Sequence, residues 1–324
     1  MAFSIDDIRA AQQRISSHIV RTPLLRLKNL DEALGCQVYI KAENMQTAGS
    51  FKLRGALNRS LSLAPDELAR GLVCASSGNH GRGIAYAAKL LGTHATVVMP
   101  RSSPRIKADA IKALGAEVVL CEVDERFQIA EKLCAEKNAT LIPPYDDEYV
   151  MAGQGTAGLE IVEQCPDLDT VIVPVSGGGL IGGISTAVKT LAPQMKIFGA
   201  EPAAQPRYGK SLAAGKIVTV PKQATLADAL VTLSPGVNCF PVVQRNVDEM
   251  FAVDDSFMLK AMKILLTEGK ILAEPSACIG MGAVLQGLCS IKKEEKVCFL
   301  ISGGSVGISQ LAQLEEGVPH ETNY

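Results

Sequence analysis

Short apolar runs alternate along the chain with longer stretches in which apolar residues recur with a helical period. The runs have the length of buried strands, and the longer stretches have the pattern of amphipathic helices. Strands are predicted at 38–41, 72–74, 95–99, 117–120, 171–175, 197–200 and 298–301, and helices at 5–17, 84–91, 105–114, 126–137, 180–191 and 256–267. This alternation predicts an α/β fold with mostly parallel sheets and helices on both faces.

Two loops of small residues follow predicted strands and come directly before predicted helices. They read SSGNHG at residues 76–81 and SGGG at residues 176–179. In open α/β proteins, ligands bind beyond the carboxyl ends of the strands. A glycine loop at the start of a helix also presents free N–H groups and the positive end of the helix dipole to an anion. Both loops are therefore candidate binding sites.

The glycine loop allows two interpretations when it is taken alone. Gly177, Gly179 and Gly182 match the G-x-G-x-x-G pattern of dinucleotide-binding proteins, and Glu201 follows about 20 residues later. The loop lies in the middle of the chain, however, whereas that pattern normally opens its own βαβ unit. An NAD-binding oxidoreductase and a plain turn between strand and helix are both compatible with this loop.

Charge and composition exclude several classes of partner. Lys and Arg number 32 and Asp and Glu 34, so the formal net charge is −2. Such a balance gives no basic surface for nucleic acid or an anionic membrane. Aromatic residues make up 4% and Trp is absent, which disfavours base stacking. The polar N-terminal segment lacks the apolar part of a secretory signal, so we expect a cytoplasmic protein without membrane spans.

Lys52 stands in a segment of mainly small and apolar residues, which reads ENMQTAGSFKLRGA at residues 43–56. Most lysines lie on the surface, and this context is unusual for one. The segment resembles the cofactor-binding lysine motif of fold-type II pyridoxal-phosphate enzymes, the tryptophan-synthase-β-like group. It is most similar to that of the serine racemase and serine/threonine dehydratase family.

Further motifs carry the same resemblance in the family's order along nearly the whole chain. A chance likeness is therefore implausible, and the resemblance replaces the dinucleotide interpretation of the glycine loop. The motifs read RTPL at 21–24, SSGNHG at 76–81, VMP at 98–100, GAEV at 115–118, AGQGT at 152–156, PVSGGGL at 174–180, EPSA at 274–277 and SGG at 302–304.

The resemblance implies two lobes, each with a mostly parallel open sheet flanked by helices. The large, cofactor-binding lobe would take residues 1–59 and 147–324, and the small lobe, residues 60–146, would be inserted into it. The site would lie between the lobes, and a homodimer is expected. Few residues follow Gly304, so the C-terminal regulatory domain of biosynthetic threonine dehydratases, with its feedback control, is not expected.

Pyridoxal phosphate is the cofactor that the resemblance implies. Lys52 would bind it covalently and, once a substrate has displaced the amine, act as the base for the Cα proton. Phe51 would pack against the ring, Asn79 would contact the ring hydroxyl, and Ser302 would lie beside the pyridine nitrogen. The phosphate cradle would consist of Ser176, Gly177, Gly178, Gly179 and Leu180. The substrate, a small amino acid, would bind at Ser76, Ser77, Gly78, Asn79 and His80, with His80 belonging to the loop framework.

The expected substrates are β-hydroxy amino acids such as serine and threonine, which a dehydratase converts to a 2-oxo acid and ammonia. Racemisation needs a second acid or base on the opposite face of Cα. Ser77 matches a hydroxyl position of serine racemases, where typical threonine dehydratases carry Ala. The same hydroxyl could instead cap a helix or bind the carboxylate. Dehydration alone and dehydration with racemisation therefore both stay open.

Arg126, near the start of a predicted helix, has two interpretations. It is either a surface residue or a ligand for a second carboxylate, and the second would favour 3-hydroxyaspartate as substrate. Three other functions are alternatives: a synthase of the cysteine-synthase type, whose substrate loop favours TSGN, an NAD-binding oxidoreductase, and a non-catalytic binding module.

A divalent cation, Mg²⁺ or Mn²⁺, is a doubtful part of this picture. Relatives with the racemase pattern bind one through a Glu, a backbone carbonyl and an Asp. Glu201 matches the Glu and Gln205 the carbonyl, but Arg207 stands where the Asp is expected. An arginine repels a metal ion and cannot ligate it, so we expect its guanidinium to pair with Glu201 instead.

Overall fold

The computed structural model describes residues 3–76 and 78–308, together with residues 311 and 314. These residues form two sheets and the helices that cover them. The strands are β1 (Leu24–Arg26), β2 (Gln37–Ala42), β3 (Leu72–Ala75), β4 (Ala95–Pro100), β5 (Glu117–Cys121), β6 (Thr140–Leu141), β7 (Thr170–Pro174), β8 (Lys196–Pro202), β9 (Glu249–Val253) and β10 (Lys296–Ile301). The α-helices are α1 (Ile5–Ile15), α2 (Asp31–Leu34), α3 (Lys52–Leu61), α4 (Pro65–Ala69), α5 (Asn79–Leu91), α6 (Arg105–Lys112), α7 (Arg126–Lys137), α8 (Glu148–Gln164), α9 (Gly179–Leu191), α10 (Arg207–Ala214), α11 (Cys239–Asn246), α12 (Asp255–Thr267) and α13 (Ile279–Leu285).

The larger sheet has the strand order β1-β2-β10-β7-β8-β9, and the smaller sheet has the order β5-β4-β3-β6. All pairs are parallel except β1 with β2. The four strands of the smaller sheet lie in one continuous segment, whereas the larger sheet takes strands from both sides of that segment. The predicted α/β fold is confirmed. The lobe boundaries, after residue 59 and before residue 147, stay a prediction.

Strand β10 lies inside the larger sheet and is buried on both faces. Phe299, opposite Ile40 and Ile172, packs with its neighbours on one face, and Leu300 packs on the other. Helices α8 and α9 cover the face of Leu300, and α12 and α13 cover the face of Phe299. A strand of a doubly covered parallel sheet needs apolar residues throughout, which is why the apolar runs predict these strands well.

The seven predicted strands are all present, with ends that differ by at most two residues. The prediction omitted β1, β6 and β9, which are short or lie at a sheet edge. Helix α5 begins at Asn79, five residues before the predicted start at 84. The difference arises because Gly81 lies inside the helix, where an added Cβ would be 2.7 Å from Val97. This glycine serves close packing of helix on strand and is not part of a loop.

Helix α8 was also not predicted, because it contains a run of glycines. At Gly153 an added Cβ would lie 2.5 Å from the backbone oxygen of Arg54, and at Gly183 of α9 it would lie 2.3 Å from that of Met151. The glycines therefore let α8 approach α3 and α9 closely. Within the described ranges, no helix combines the length and apolar character that a bilayer span requires.

Candidate active site

A cavity lies where strands of both sheets end. Ala75 ends β3, Pro174 ends β7 and Ser302 follows β10, and all three line the cavity. Because the carboxyl ends of parallel strands are a common binding place in α/β proteins, this position agrees with the expected location of a ligand.

The cavity brings together most of the residues that the sequence analysis selected. Ser77 lies outside the described residues, and Glu201 is not part of the cavity wall. The selected residues that do line it are Phe51, Lys52, Ser76, Gly78, Asn79, His80, Arg126, Ser176, Gly177, Gly178, Gly179, Leu180 and Ser302.

Lys52 is the first residue of α3 and points its amine into the cavity wall. Its Nζ donates a hydrogen bond to the carbonyl oxygen of Pro144 at 2.5 Å and lies 5.1 Å from the centre of the Phe51 ring. Burial lowers the pKa of the Lys52 amine to about 8, because desolvation penalises the charged form. Within the described part of the chain, no carboxylate lies within ion-pair distance of it. The neutral amine, which is the form that reacts with a carbonyl, is thus accessible near neutral pH.

The glycine loop runs from Ser176 into the start of α9 at Gly179. A Cβ added at Gly177 would lie 2.2 Å from the ring of Tyr145, and one at Gly178, where φ is +103°, would lie 1.9 Å from the hydroxyl of Tyr208. The Tyr208 hydroxyl donates to the carbonyl of Gly177 at 3.0 Å. The first N–H groups of α9 have no partner within the helix, and the helix dipole adds positive potential there. This loop can hold a phosphate group.

The comparisons with known proteins agree with this geometry. Residues 15–303 match the family described as pyridoxal-phosphate dependent enzymes. The chain belongs to this family.

Its relatives act in amino-acid chemistry. The chain is 40% identical over 311 residues to an L-threonine ammonia-lyase of Geobacter sulfurreducens, covering 95% of this chain and 77% of the relative. It is 39% identical over 317 residues to an L-threo-3-hydroxyaspartate ammonia-lyase of Saccharomyces cerevisiae, covering 96% of each. The solved structure of maize serine racemase superposes with a TM-score of 0.92 at 38% identity and covers 98% of each chain. The prediction of a pyridoxal-phosphate enzyme related to dehydratases and racemases is confirmed.

The residues present fit pyridoxal phosphate. The site combines a buried lysine of lowered pKa with a glycine loop in which a Cβ would collide with two tyrosines. In this enzyme the loop at residues 176–180 would hold the phosphate, and Phe51, Asn79 and Ser302 surround the space beside Lys52. The dinucleotide-binding alternative for the loop is excluded by the family membership.

Asn79 is held by a buried acid that the sequence analysis did not assign a role. Its Nδ2 donates to Glu274 Oε1 at 2.6 Å, and its Oδ1 accepts from the hydroxyl of Ser305 at 2.6 Å. Burial raises the pKa of Glu274 to about 7, and Oε2 has no hydrogen-bond partner among the described residues. The sequence feature that could have identified Glu274 as a site residue is its position between apolar residues at the start of the EPSA motif.

Ser76 and His80 stabilise the start of α5. The hydroxyl oxygen of Ser76 accepts from the N–H groups of Gly78 and Gly81 at 3.1 and 2.9 Å. Nε2 of His80 donates to the carbonyl of Ile142 at 2.9 Å, and burial lowers the pKa of His80 to about 3. A neutral, hydrogen-bonded imidazole supports the expected framework role of His80, which stays a prediction.

Arg126 lines the cavity, so it is not only a surface residue. Its guanidinium donates to the carbonyl of Val123 and lies 4.5 Å from the centre of the Phe127 ring. The binding of a second substrate carboxylate by Arg126 stays a prediction.

The residues at Glu201 do not fit a divalent cation. The carboxylate of Glu201 accepts from the N–H groups of Tyr208 and Gly209 at 2.9 and 2.7 Å, and the carbonyl of Gln205 accepts from the N–H of Arg207 at 2.9 Å. The buried guanidinium of Arg207 lies 3.9 Å from Glu201. Among the described residues, no cluster of three His, Cys, Asp or Glu side chains that could hold a metal ion is present.

Arg207 itself connects parts of the cavity wall. Its Nη2 donates to the carbonyl of Leu230 at 2.9 Å, and its Nη1 donates to that of Val175 at 3.4 Å. Val175 comes directly before the glycine loop, and Leu230 lines the cavity. The guanidinium of Arg207 therefore contacts the carbonyls of Val175 and Leu230 and lies beside the carboxylate of Glu201.

We predict that stability depends on pH through Glu274. The pKa of Glu274 is about 7 in the folded state and about 4.3 in the unfolded chain. The unfolded chain therefore ionises at a lower pH, and the enzyme loses stability as the pH rises from about 4.3 to about 7. Glu274→Gln keeps an acceptor for Asn79 but removes the titration. The free energy of unfolding, measured with denaturant on the purified enzymes, should increase for the variant relative to wild type by about 2–3 kcal/mol between pH 5 and pH 8. Glu32→Gln, on the surface, serves as control. If the stability difference between Glu274→Gln and wild type is the same at pH 5 and pH 8, the prediction is wrong.

We predict that Arg207 keeps the enzyme independent of metal. A chelator should leave wild-type activity unchanged. Arg207→Asp places a second carboxylate near Glu201, so Mn²⁺ at about 100 times its dissociation constant should raise the thermal midpoint of the variant by several degrees. The matched control Arg207→Asn lacks that carboxylate and should not respond. Equal responses of wild type and Arg207→Asp to Mn²⁺ would show that the argument is wrong.

Proposed function

We propose that this enzyme is an ammonia-lyase of β-hydroxy amino acids such as serine and threonine, which it converts to a 2-oxo acid and ammonia. The observation that carries the proposal is the amine of Lys52, with its lowered pKa, in one cavity with the glycine loop and with Ser76, Gly78, Asn79 and His80. The names of the relatives, a threonine ammonia-lyase among them, support the substrate class.

Each loop has a task in the proposed reaction. The cofactor supplies an electron sink when it is bound. The backbone N–H groups at the start of α5 bind the substrate carboxylate, and those at the start of α9 bind the cofactor phosphate. Asn79, fixed by Glu274, and Ser302 orient the ring. Lys52 Nζ then takes the proton from Cα, and its surroundings of Phe51 and Pro144 exclude water from the amine.

Serine racemase activity is the second candidate function. It is supported by the likeness to maize serine racemase and by Ser77, whose hydroxyl would serve the face of Cα opposite to Lys52. Preference for 3-hydroxyaspartate is the remaining alternative, supported by the yeast relative and by Arg126 in the cavity wall.

The proposal includes a cytoplasmic homodimer with two lobes that close on the substrate. Family membership supports the dimer, and the charge balance supports the absence of nucleic-acid partners. A monomer mass by light scattering of the purified protein would contradict the dimer.

We predict that Lys52→Ala abolishes the yellow colour of the purified enzyme and lowers 2-oxo acid production from L-serine or L-threonine by at least about 10³-fold, because both attachment and proton transfer are lost. Absorbance spectra and a keto-acid assay measure the two effects. Lys112→Ala, an exposed lysine of α6, is the control and should behave as wild type. Full activity of Lys52→Ala would refute the proposed role.

We predict that Ser77→Ala removes enantiomer formation while elimination survives. The panel is L- and D-serine, L- and D-threonine and 3-hydroxyaspartate, with oxo acid and enantiomer scored together by chromatography. Because only racemisation needs the second face of Cα, oxo acid production should stay within about tenfold of wild type. Ser62→Ala, at the end of α3, is the matched hydroxyl control. Racemisation that persists in Ser77→Ala would show that another group acts on that face.

A further inference from the structure

An ion pair beside the cavity joins the two sheet-bearing parts of the chain, and one of its two residues, Asp228, lines the cavity. Lys107 Nζ lies 2.5 Å from Asp228 Oδ2. Lys107 belongs to α6, beside the smaller sheet, and Asp228 belongs to the segment between α10 and α11 of the larger part. The side chain of Lys107 is 8% exposed and that of Asp228 is 42% exposed. A pair with one deeply buried partner is less screened than a surface pair, so its contribution is larger.

The lysine stem rests on the loop that is proposed to bind the substrate carboxylate. A Cβ added at Gly78 would lie 2.7 Å from Lys107 Cδ. The absence of a side chain at Gly78 thus lets the stem lie across the loop, and Asp228 holds the end of that stem from the other side. Gly78 is therefore packed against a side chain whose amine is held by a residue of the larger part.

The neighbouring charges indicate a positioning role for this pair. Glu274, which holds Asn79, is influenced by the charges of both Lys107 and Asp228. The segment of Asp228 also reaches Ser276, whose hydroxyl accepts from the N–H of Ala229 at 3.1 Å. The segment that carries Asp228 is thus hydrogen-bonded two residues after Glu274, the residue that holds Asn79.

We propose that Lys107 and Asp228 form a clasp that positions the substrate loop. The clasp holds Gly78, and with it the start of α5, in place against the cavity, so that the start of this helix meets the substrate carboxylate. This inference rests on the proposed function for the place of the substrate. Lys107 acts through Gly78, and Asp228, which lines the cavity, holds the lysine amine, so loss of the pair affects substrate binding more than turnover.

A double-mutant cycle on the holoenzyme tests the clasp. Lys107→Met keeps the stem over Gly78 but removes the charge, and Asp228→Asn keeps the shape of its partner. Each should raise KM for L-serine about tenfold with kcat within about twofold, and the double variant should be no worse than either single variant, since the residues act as one pair. Asp109→Asn, which breaks the exposed pair with Arg105 on the same helix, is the matched control.

Two outcomes would overturn the clasp. One is an unchanged KM in both single variants, and the other is additive effects of the two substitutions. If no amino acid is turned over, the proposed function fails while the clasp is still tested by the dissociation constant of L-alanine, read from the absorbance of the bound cofactor. Tenfold weaker binding in both variants, with an unchanged spectrum without ligand, would then support the clasp alone.

Discussion

Four buried charges beside the reactive lysine hold the site in place. The guanidinium of Arg54, two residues after Lys52, lies 2.8 Å from Glu43 and 2.7 Å from Glu160, and Lys41 lies 2.6 Å from Glu160. Burial opposes ionisation of Glu43, but the adjacent Arg54 outweighs it and holds the pKa of that carboxyl below its usual range. Buried charges cost several kcal/mol each unless they are fully paired, and here each carboxylate is paired. The network joins the end of β2, the first turn of α3 and the C-terminal half of α8.

The cavity next to this network has the opposite character, because burial there favours neutral groups. The pKa of Lys52 is lowered, that of His80 is lowered and that of Glu274 is raised, all mainly by desolvation. Fixed partial charges at helix starts then face a ligand together with the charged side chains of Arg126 and Asp228. Such a site suits a small zwitterion and one phosphate, neither of which needs a large field from the whole protein.

The sequence predicts those parts of the protein that depend on the pattern of residues within a short stretch of the chain. The buried strands follow from apolar runs such as residues 298–301, and Lys52 follows from its unusual neighbours together with the family motif. Helix α8 was missed because its glycines serve contacts with α3 and α9, which only the folded structure reveals. The pairing of Lys107 with Asp228 joins residues 121 positions apart, and no local pattern encodes such a contact. Glu274 lay in a recognised motif, yet its partner Asn79 is 195 positions away.

The contact between the glycine loop and Tyr145 and Tyr208 has a consequence for protein engineering. Every replacement of Gly177 or Gly178 adds a Cβ that would lie about 2 Å from an aromatic side chain, so libraries built on these two codons should contain almost no folded variants. To alter anion binding by this loop, Tyr145 and Tyr208 must be replaced first. Smaller side chains at 145 and 208 would make the room that the loop now lacks, and only then would sequence variation at the loop become accessible.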